Sequence, residues 1–179
     1  TPGIALGVVD GRWPGRSEVL SCGVRDARAD APFDETVAAR WFSVTKMVTA
    51  TCLMALAERG AVDLDEPIRQ RWSDFPPPRE GGAPVTARDL LAHTSGLSHP
   101  LPVGWVRTLD QPVPELDAFV SRQLRRQRPS GGSPTRYTNL GYLVLERWVQ
   151  LVTGQSFERV LRELVLEPLG MTQTSFAPL

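Results

Sequence analysis

Apolar and polar positions follow a strand-like pattern at the start of the chain and a helix-like pattern after it. The apolar run Ile4–Val9 predicts a buried strand, Asp10-Gly11 predicts a turn, and Ser17–Val24 predicts a second strand that completes a hairpin. A lone hairpin is only marginally stable, and its edges need partners. We therefore expect a sheet that is incomplete within this chain.

The longest apolar segment, Val44–Ala57, reads VTKMVTATCLMALA and carries a single charge. It predicts a helix that is buried on most faces and ends before Gly60, which can take the left-handed cap conformation. Pro/Gly-rich segments at 72–84 and 130–134 predict loops. Further helices are predicted at Thr86–Ala92 (after a capping-box pattern), Glu115–Arg126, Leu140–Val152 and Phe157–Leu166.

Composition narrows the class of protein. The 179 residues are 41% apolar and 22% charged, which is typical of one globular domain. Twenty basic residues balance twenty acidic ones, which argues against a dedicated nucleic-acid or anionic-membrane binder, and no apolar stretch reaches the ~18 residues of a membrane span. Cys22 and Cys52 fit neither a disulfide framework nor a metal-ligand spacing. We expect two free, buried thiols, with one disulfide as the alternative.

Three side-chain types are rare in this sequence. Lys46 is the only lysine beside 19 arginines, Asn139 is the only asparagine, and Tyr137 and Tyr142 are the only tyrosines. Abundant Ala, Arg, Gly and Pro suggest a G/C-rich coding sequence in which lysine has drifted to arginine wherever arginine works. The rare residues are therefore expected to mark sites that need their chemistry.

Ser43 and Lys46 are three residues apart at the start of the apolar helix, so both lie on one helical face. Free backbone N–H groups and the helix dipole there favour negative charge on an attacked carbonyl oxygen. A lysine with the ordinary pKa of ~10.4 is neutral at pH 7 in only about one molecule in a few thousand. We expect burial to favour the neutral amine, which can then act as a general base. The alternative is that Ser43 is an N-cap and Lys46 an ordinary helical lysine.

Tyr137-Thr138-Asn139 lies between the Gly-rich loop and the next helix, where a phenol and an amide can project into a cleft. A phenol beside an amine can relay a proton to and from a serine oxygen. The amide can hydrogen-bond both a lysine and a substrate carbonyl. The alternatives are that Tyr137 is a rim aromatic and that Asn139 caps the helix that starts at Leu140.

Four motifs in order resemble the serine β-lactamase and penicillin-binding protein superfamily over nearly the whole chain. They are Ser43-Val-Thr-Lys46, Leu90-Leu-Ala-His-Thr-Ser-Gly-Leu97, Tyr137-Thr-Asn-Leu-Gly-Tyr142 and Glu167-Pro-Leu-Gly-Met171. The Tyr-x-Asn motif is most similar to the branch of class C β-lactamases, D-alanyl-D-alanine carboxypeptidases and related esterases, because class A has Ser-Asp-Asn there.

The resemblance implies a role for each matched residue. Ser43 becomes the acylated nucleophile and Lys46 its activating base. Tyr137 becomes the proton shuttle and the activator of the deacylating water, and Asn139 anchors substrate and lysine. His93 matches a structural position of the family. The reaction implied is acyl transfer to water from a lactam, a D-Ala-D-Ala-type peptide or an ester, on a small-molecule or peptide substrate, with no cofactor and no metal.

The implied fold class is α/β (α+β) of the β-lactamase/transpeptidase type, with an antiparallel sheet flanked by helices beside a mostly helical region. We expect residues 1–179 to form a single partial domain. Residues 1–42 would supply a strand hairpin and loop of the sheet region, and residues 43–179 the nucleophile helix and the mostly helical region.

The family's third motif, a Lys/His-x-Gly-like triplet on a strand beside the cleft, should follow well after Met171, whereas this sequence ends at Leu179. That strand donates one of two oxyanion N–H groups, each of which contributes about 3–4 kcal/mol in related chemistry. The chain thus resembles an N-terminal half whose missing C-terminal half is expected to be required, and is expected to be weakly active or inactive alone. The alternatives are a non-catalytic penicillin- or peptide-binding module and an inactive gene fragment. Family members are commonly periplasmic or secreted, and the esterases can be cytoplasmic.

Two other groups of charged or polar residues carry simpler interpretations. The basic stretch Arg122, Arg125, Arg126 and Arg128 predicts a solvated helix face. His99 has no carboxylate or cysteine partner at ligand spacing, so a loop histidine is favoured over a metal ligand.

Overall fold

An antiparallel hairpin opens the chain in the computed structural model, which describes residues 3–12, 17–26, 28, 31–34, 36–99 and 115–176. Strand β1 (Ile4–Val9) pairs with β2 (Ser17–Cys22), with Ile4 opposite Cys22 and Val9 opposite Ser17. Strands β3 (Val24–Asp26) and β4 (Ala31–Pro32) form a second antiparallel pair. Within the described residues the sheet is thus limited to two separate pairs, and the expected incomplete sheet is confirmed.

The predicted hairpin forms, but the prediction that its first strand is buried is wrong. Every residue of β1 and β2 is exposed, with 61% of Ile4 and 79% of Val9 accessible. The physical reason is that a two-stranded sheet has no second layer of its own, so neither face can be covered from within the hairpin. The cysteine prediction is corrected in the same region. Both thiols are free, and Cys52 is buried, but Cys22 on β2 is exposed.

The chain forms two compact units, one within residues 1–41 and one at residues 42–176. The second unit is helical. None of its described helices combines the length and the apolar character that crossing a bilayer requires. Its elements are a one-turn 3-10 helix (Phe42–Val44), α1 (Thr45–Glu58), α2 (Ile68–Arg71), α3 (Ala87–Leu91), α4 (Leu116–Leu124), α5 (Asn139–Thr153), α6 (Phe157–Leu161) and a π-helical turn (Arg162–Leu166).

The core of the helical unit is built around α5. Val144, Leu145, Trp148 and Val149 recur at helical spacing on α5 and are fully buried, as is Leu53 on α1. Each large side chain of this kind contributes roughly 1.5–3 kcal/mol through removal of its apolar surface from water. The packing of α5 against α1 brings together the two helices that carry Asn139 and Lys46.

Helix α1 begins one residue later than predicted and ends at Glu58. Gly60 has a φ of 68°, and the N–H groups of Gly60 and Ala61 donate to the carbonyl oxygens of Ala57 and Leu56, which is the Schellman arrangement. The predicted burial on most faces is confirmed, because the exposed positions Met47, Thr51, Met54 and Glu58 lie on one stripe of the helix and the other ten residues are buried or half-buried. A helix that is apolar on all sides could be buried on any face, and the packing of neighbouring helices decides which faces are buried.

Side-chain caps set the other helix starts. Thr86 and Asp89 form the predicted capping box at α3, and Glu115 caps α4. The predicted helix 157–166 is α6 followed by the π-helical turn. The stretch Arg122, Arg125, Arg126 and Arg128 is exposed, as expected of a solvated face.

Candidate active site

Ser43 lies in the 3-10 turn that leads into α1, and its hydroxyl does not cap the helix. The N-cap of α1 is Val44, with no side-chain cap, so the N-cap alternative for Ser43 is wrong. Instead, Ser43 Oγ lies 2.7 Å from the hydroxyl oxygen of Tyr137, close enough for a strong O–H···O hydrogen bond.

The residue before Ser43 has an unusual backbone. Phe42 has a φ of 46°, in the left-handed region that costs an aromatic residue about 1–2 kcal/mol, and its side chain is 82% exposed. Strain of this kind concentrates at functional sites, where the surrounding structure fixes the geometry. No pattern of apolar and polar residues signals this conformation, so sequence reasoning missed Phe42.

Lys46 holds its amine between the site's polar groups. Its Nζ donates to Asn139 Oδ1 at 2.7 Å and to Ser43 Oγ at 3.5 Å, the second contact being long for a hydrogen bond. The same nitrogen lies 4.9 Å from the ring centre of Tyr137 and 5.3 Å from that of Tyr142. Both rings therefore stabilise a positive charge on the amine. Tyr142 was given no role from the sequence, although its position three residues after Asn139 places both on one helical face.

Tyr137 is 49% exposed and stands directly before the N-cap of α5. Partial burial alone would raise the pKa of Tyr137. Hydrogen bonding with Lys46 and Ser43, together with the positive charge of Lys46, outweighs burial and lowers that pKa below its ordinary value of 10. The phenolate, which is the form that can accept a proton, is therefore more populated at a given pH than in an isolated tyrosine.

Asn139 is the first residue of α5 rather than its cap. Thr138 is the N-cap, and its hydroxyl accepts a hydrogen bond from the N–H of Leu140 at 3.1 Å. The alternative in which Asn139 caps the helix is therefore wrong, and the amide is available to Lys46. The N–H of Asn139 donates to Nδ1 of His99 at 3.4 Å, so His99 borders the site.

His93 braces the segment that carries Tyr137. Its Nδ1 accepts from the N–H of Thr138 at 3.3 Å, its carbonyl accepts from the N–H of Arg136, and its ring centre lies 4.7 Å from that of Tyr137. Burial, and then the positive charge of Lys46, lower the pKa of His93 and favour the neutral ring whose Nδ1 accepts. These contacts agree with the structural position that the resemblance implies.

Asp89 fixes the loop on the other side of this segment. Its Oδ1 accepts from Thr94 Oγ1 and from the N–H of Gly132, both at 2.9 Å, and its Oδ2 accepts from the hydroxyl and the N–H of Thr86. Burial alone would raise the pKa of Asp89, but these four hydrogen bonds lower it overall. Sequence reasoning found only the capping box, because the bond to Gly132 joins residues 43 positions apart.

A cavity of about 330 Å³ opens beside these groups. We refer to this space as the site cavity. It is lined by Phe42, Ser43, Thr45, Lys46, Thr49, Asn139, Tyr142, Leu143, Glu146, Phe157 and Phe176. Within the described part of the chain, no group of three or more His, Cys, Asp or Glu side chains could hold a metal ion.

The structure thus brings together all four residues singled out from the sequence: Ser43, Lys46, Tyr137 and Asn139. A hydroxyl, an amine and a phenol within hydrogen-bonding distance of one another are the parts of an activated nucleophile. The amide oxygen holds the amine in position.

The family model described as Beta-lactamase matches residues 1–179. The chain belongs to the Beta-lactamase family. The antiparallel strands and separate helices described above are the corresponding part of the β-lactamase/transpeptidase fold, so the predicted fold class is confirmed.

Two relatives and one solved structure illustrate the similarity. The chain is 28% identical over 148 residues to the D-alanyl-D-alanine-carboxypeptidase/endopeptidase AmpH of Escherichia coli, covering 76% of this chain and 36% of AmpH. It is 32% identical over 149 residues to the Esterase/beta-lactamase LipL of Mycobacterium tuberculosis, covering 82% of this chain and 33% of LipL. The D-amino acid amidase from Ochrobactrum anthropi superposes with a TM-score of 0.77 at 28% identity, over 95% of this chain and 47% of the amidase. All three names describe hydrolases, and the chain spans about a third of the length of the two curated relatives.

Proposed function

We propose that this chain carries the nucleophile of a serine hydrolase that forms an acyl-enzyme on Ser43 from a lactam, a D-Ala-D-Ala-type peptide or an ester. The observation that supports this proposal most directly is the approach of Ser43 Oγ to both Tyr137 Oη, at 2.7 Å, and Lys46 Nζ, at 3.5 Å. The names of the relatives, a carboxypeptidase/endopeptidase and an esterase/beta-lactamase, support the same reaction class.

In the proposed acylation, Ser43 Oγ attacks the carbonyl carbon while its proton passes to the pair formed by Tyr137 and Lys46. The phenolate oxygen of Tyr137 is the nearer acceptor, and the ammonium of Lys46 stabilises its negative charge until the proton arrives. The tetrahedral intermediate then collapses, the bond to the leaving nitrogen or oxygen breaks, and the proton returns to that atom. Asn139 keeps Lys46 within reach throughout.

In the proposed deacylation, a water molecule attacks the acyl carbon and gives its proton to the same pair. The ester bond to Ser43 breaks, and Ser43 Oγ regains a proton. The carboxylic acid leaves and the Ser43 hydroxyl is restored, so the protein is unchanged and the cycle needs neither oxidant nor reductant.

The test is covalent labelling of this chain by a fluorophosphonate and by a penicillin, with the modified residue located by mass spectrometry. We expect a single adduct on Ser43, absent in Ser43→Ala. Turnover is followed with a chromogenic cephalosporin and a p-nitrophenyl ester. Labelling without turnover would favour the penicillin-binding alternative, and the absence of any adduct on Ser43 would overturn the proposal.

A further inference from the structure

Glu146 is an acidic side chain inside the site cavity that the proposed reaction does not use. Tyr142 and Leu143 lie three and four residues after Asn139 on α5, Glu146 lies four and three residues after them, and all four line the cavity together with Ser43. Seven residues of helix separate Asn139 from Glu146, which places the carboxyl-bearing residue about 10 Å further along the α5 axis. The cavity therefore joins the nucleophile to a distant acidic group.

The wall around this part of α5 is largely apolar. Leu143, Phe157 and Phe176 also line the cavity, and the two phenyl rings meet edge to face at 6.1 Å between centres. A volume of about 330 Å³ is within the range of small-ligand pockets, which typically combine apolar walls with a few polar groups. In such surroundings a single carboxylate determines which polar group of a ligand is accepted.

Among the described residues, no protein group compensates the charge of Glu146. It makes no hydrogen bond or ion pair with the residues of the described ranges, and Lys46, the cationic side chain that shares the cavity, donates to Asn139 instead. Burial raises the pKa of Glu146 to about 7. A carboxylate in this position gains stability from any cation that enters the cavity, because an unpaired buried charge is costly.

We propose that Glu146 selects substrates whose acyl chain carries a primary ammonium group, which it binds while the scissile carbonyl lies at Ser43. This inference rests on the proposed function for its acyl chemistry. The separation along α5 matches an ammonium several methylenes from the carbonyl, and the apolar wall contacts those methylenes. Lys46 stands at the Asn139 end of the helix face, so the two positive charges occupy different parts of the cavity.

The kinetic test compares p-nitrophenyl 6-aminohexanoate with p-nitrophenyl hexanoate at about pH 8.5, where the substrate amine is still largely protonated. We expect kcat/KM to favour the amino ester in the wild-type protein, and this preference to fall by about tenfold or more in Glu146→Gln. Glu80→Gln is the matched control, since Glu80 is exposed on a turn outside the cavity. A preference that is unchanged in Glu146→Gln would overturn the inference.

A binding test keeps the two proposals separable. Hexylammonium chloride and 1-hexanol are titrated into the wild-type chain, Glu146→Gln and Glu80→Gln, with NMR shifts as the readout. We expect the wild type and Glu80→Gln to prefer the ammonium by about tenfold, and Glu146→Gln to lose this preference. A wild-type protein without the preference overturns the Glu146 assignment, whatever its activity. Failure to label Ser43 overturns the hydrolase proposal and leaves this result standing.

Discussion

Replacing Tyr137 by Phe removes one atom from the site and leaves nearly everything else in place. The ring that contacts His93 and faces the Lys46 amine is retained, while the 2.7 Å contact with Ser43 Oγ is lost. Because Tyr137 is 49% exposed, loss of the hydroxyl buries no unsatisfied group, and we expect the free energy of unfolding to change by less than about 1 kcal/mol.

The expected kinetic loss is much larger than the stability loss. A positioned proton acceptor contributes roughly 10²–10⁴ in rate, which corresponds to about 3–5 kcal/mol of transition-state stabilisation. The measurement is the second-order rate of Ser43 acylation by a fluorophosphonate, followed by mass spectrometry beside urea denaturation. Since the pKa of Tyr137 is lowered, the wild-type rate should rise with pH with a midpoint below that of an ordinary tyrosine, and this rise should disappear in the variant.

Tyr142→Phe is the matched control for this experiment. The Tyr142 hydroxyl donates to the carbonyl of Leu91 at 3.2 Å and makes no contact with Ser43, while its ring faces the same amine. We expect its labelling rate to remain within about threefold of the wild type. Equal losses in both variants, or a Tyr137→Phe protein that labels at the wild-type rate with an unchanged pH profile, would refute the proposed proton transfer.

Three further outcomes are expected. Asn139→Ala removes the acceptor of the Lys46 amine and should lower the Ser43 labelling rate. Urea denaturation should show that the free energy of unfolding falls by about 1–3 kcal/mol. An unchanged labelling rate would contradict the anchoring role of Asn139. Asp89→Asn puts N–H groups opposite the donors of Thr86 or Gly132 and should cost about 1–3 kcal/mol in the free energy of unfolding. The wild type should also lose stability as pH falls through the lowered pKa of Asp89, and equal urea midpoints of the two proteins at pH 7 would argue against this network. Glu146 binds its proton more tightly in the folded protein, with a pKa of about 7 against 4.5. As pH rises from about 4.5 to about 7, the free energy of unfolding of the wild type should therefore fall by at most about 3 kcal/mol relative to that of Glu146→Gln. Parallel pH profiles of the two proteins would contradict the burial of Glu146.

The sequence predicts the chemical groups of the site better than it predicts their surroundings. Ser43 and Lys46 could be paired from spacing alone, because three residues make nearly one helical turn. Tyr137 and Asn139 stood out through the rarity of their side-chain types in an arginine-rich chain. Helix positions were predictable for the same local reason, since caps and apolar periodicity are short-range signals.

Long-range features could not be predicted in this way. The bond from Gly132 to Asp89 and the brace of His93 on Thr138 join residues more than forty positions apart. The left-handed backbone of Phe42 runs against the preference of an aromatic residue, so local propensity could not predict it. The exposure of β1 could not be predicted either. An apolar run shows that a strand could be buried, but it does not show which other elements cover the strand.

The contacts of Lys46 explain why this position is a lysine rather than an arginine. The Nζ of Lys46 lies between one amide oxygen, one serine hydroxyl and the faces of two aromatic rings. A guanidinium is planar, carries five N–H donors and stays protonated in proteins, so it could neither fit those contacts with a single nitrogen nor exchange a proton with a phenol. A coding bias that replaces lysine by arginine wherever charge alone is needed would leave lysine where a compact, proton-exchanging amine is required, and the proposed reaction puts that requirement beside Ser43.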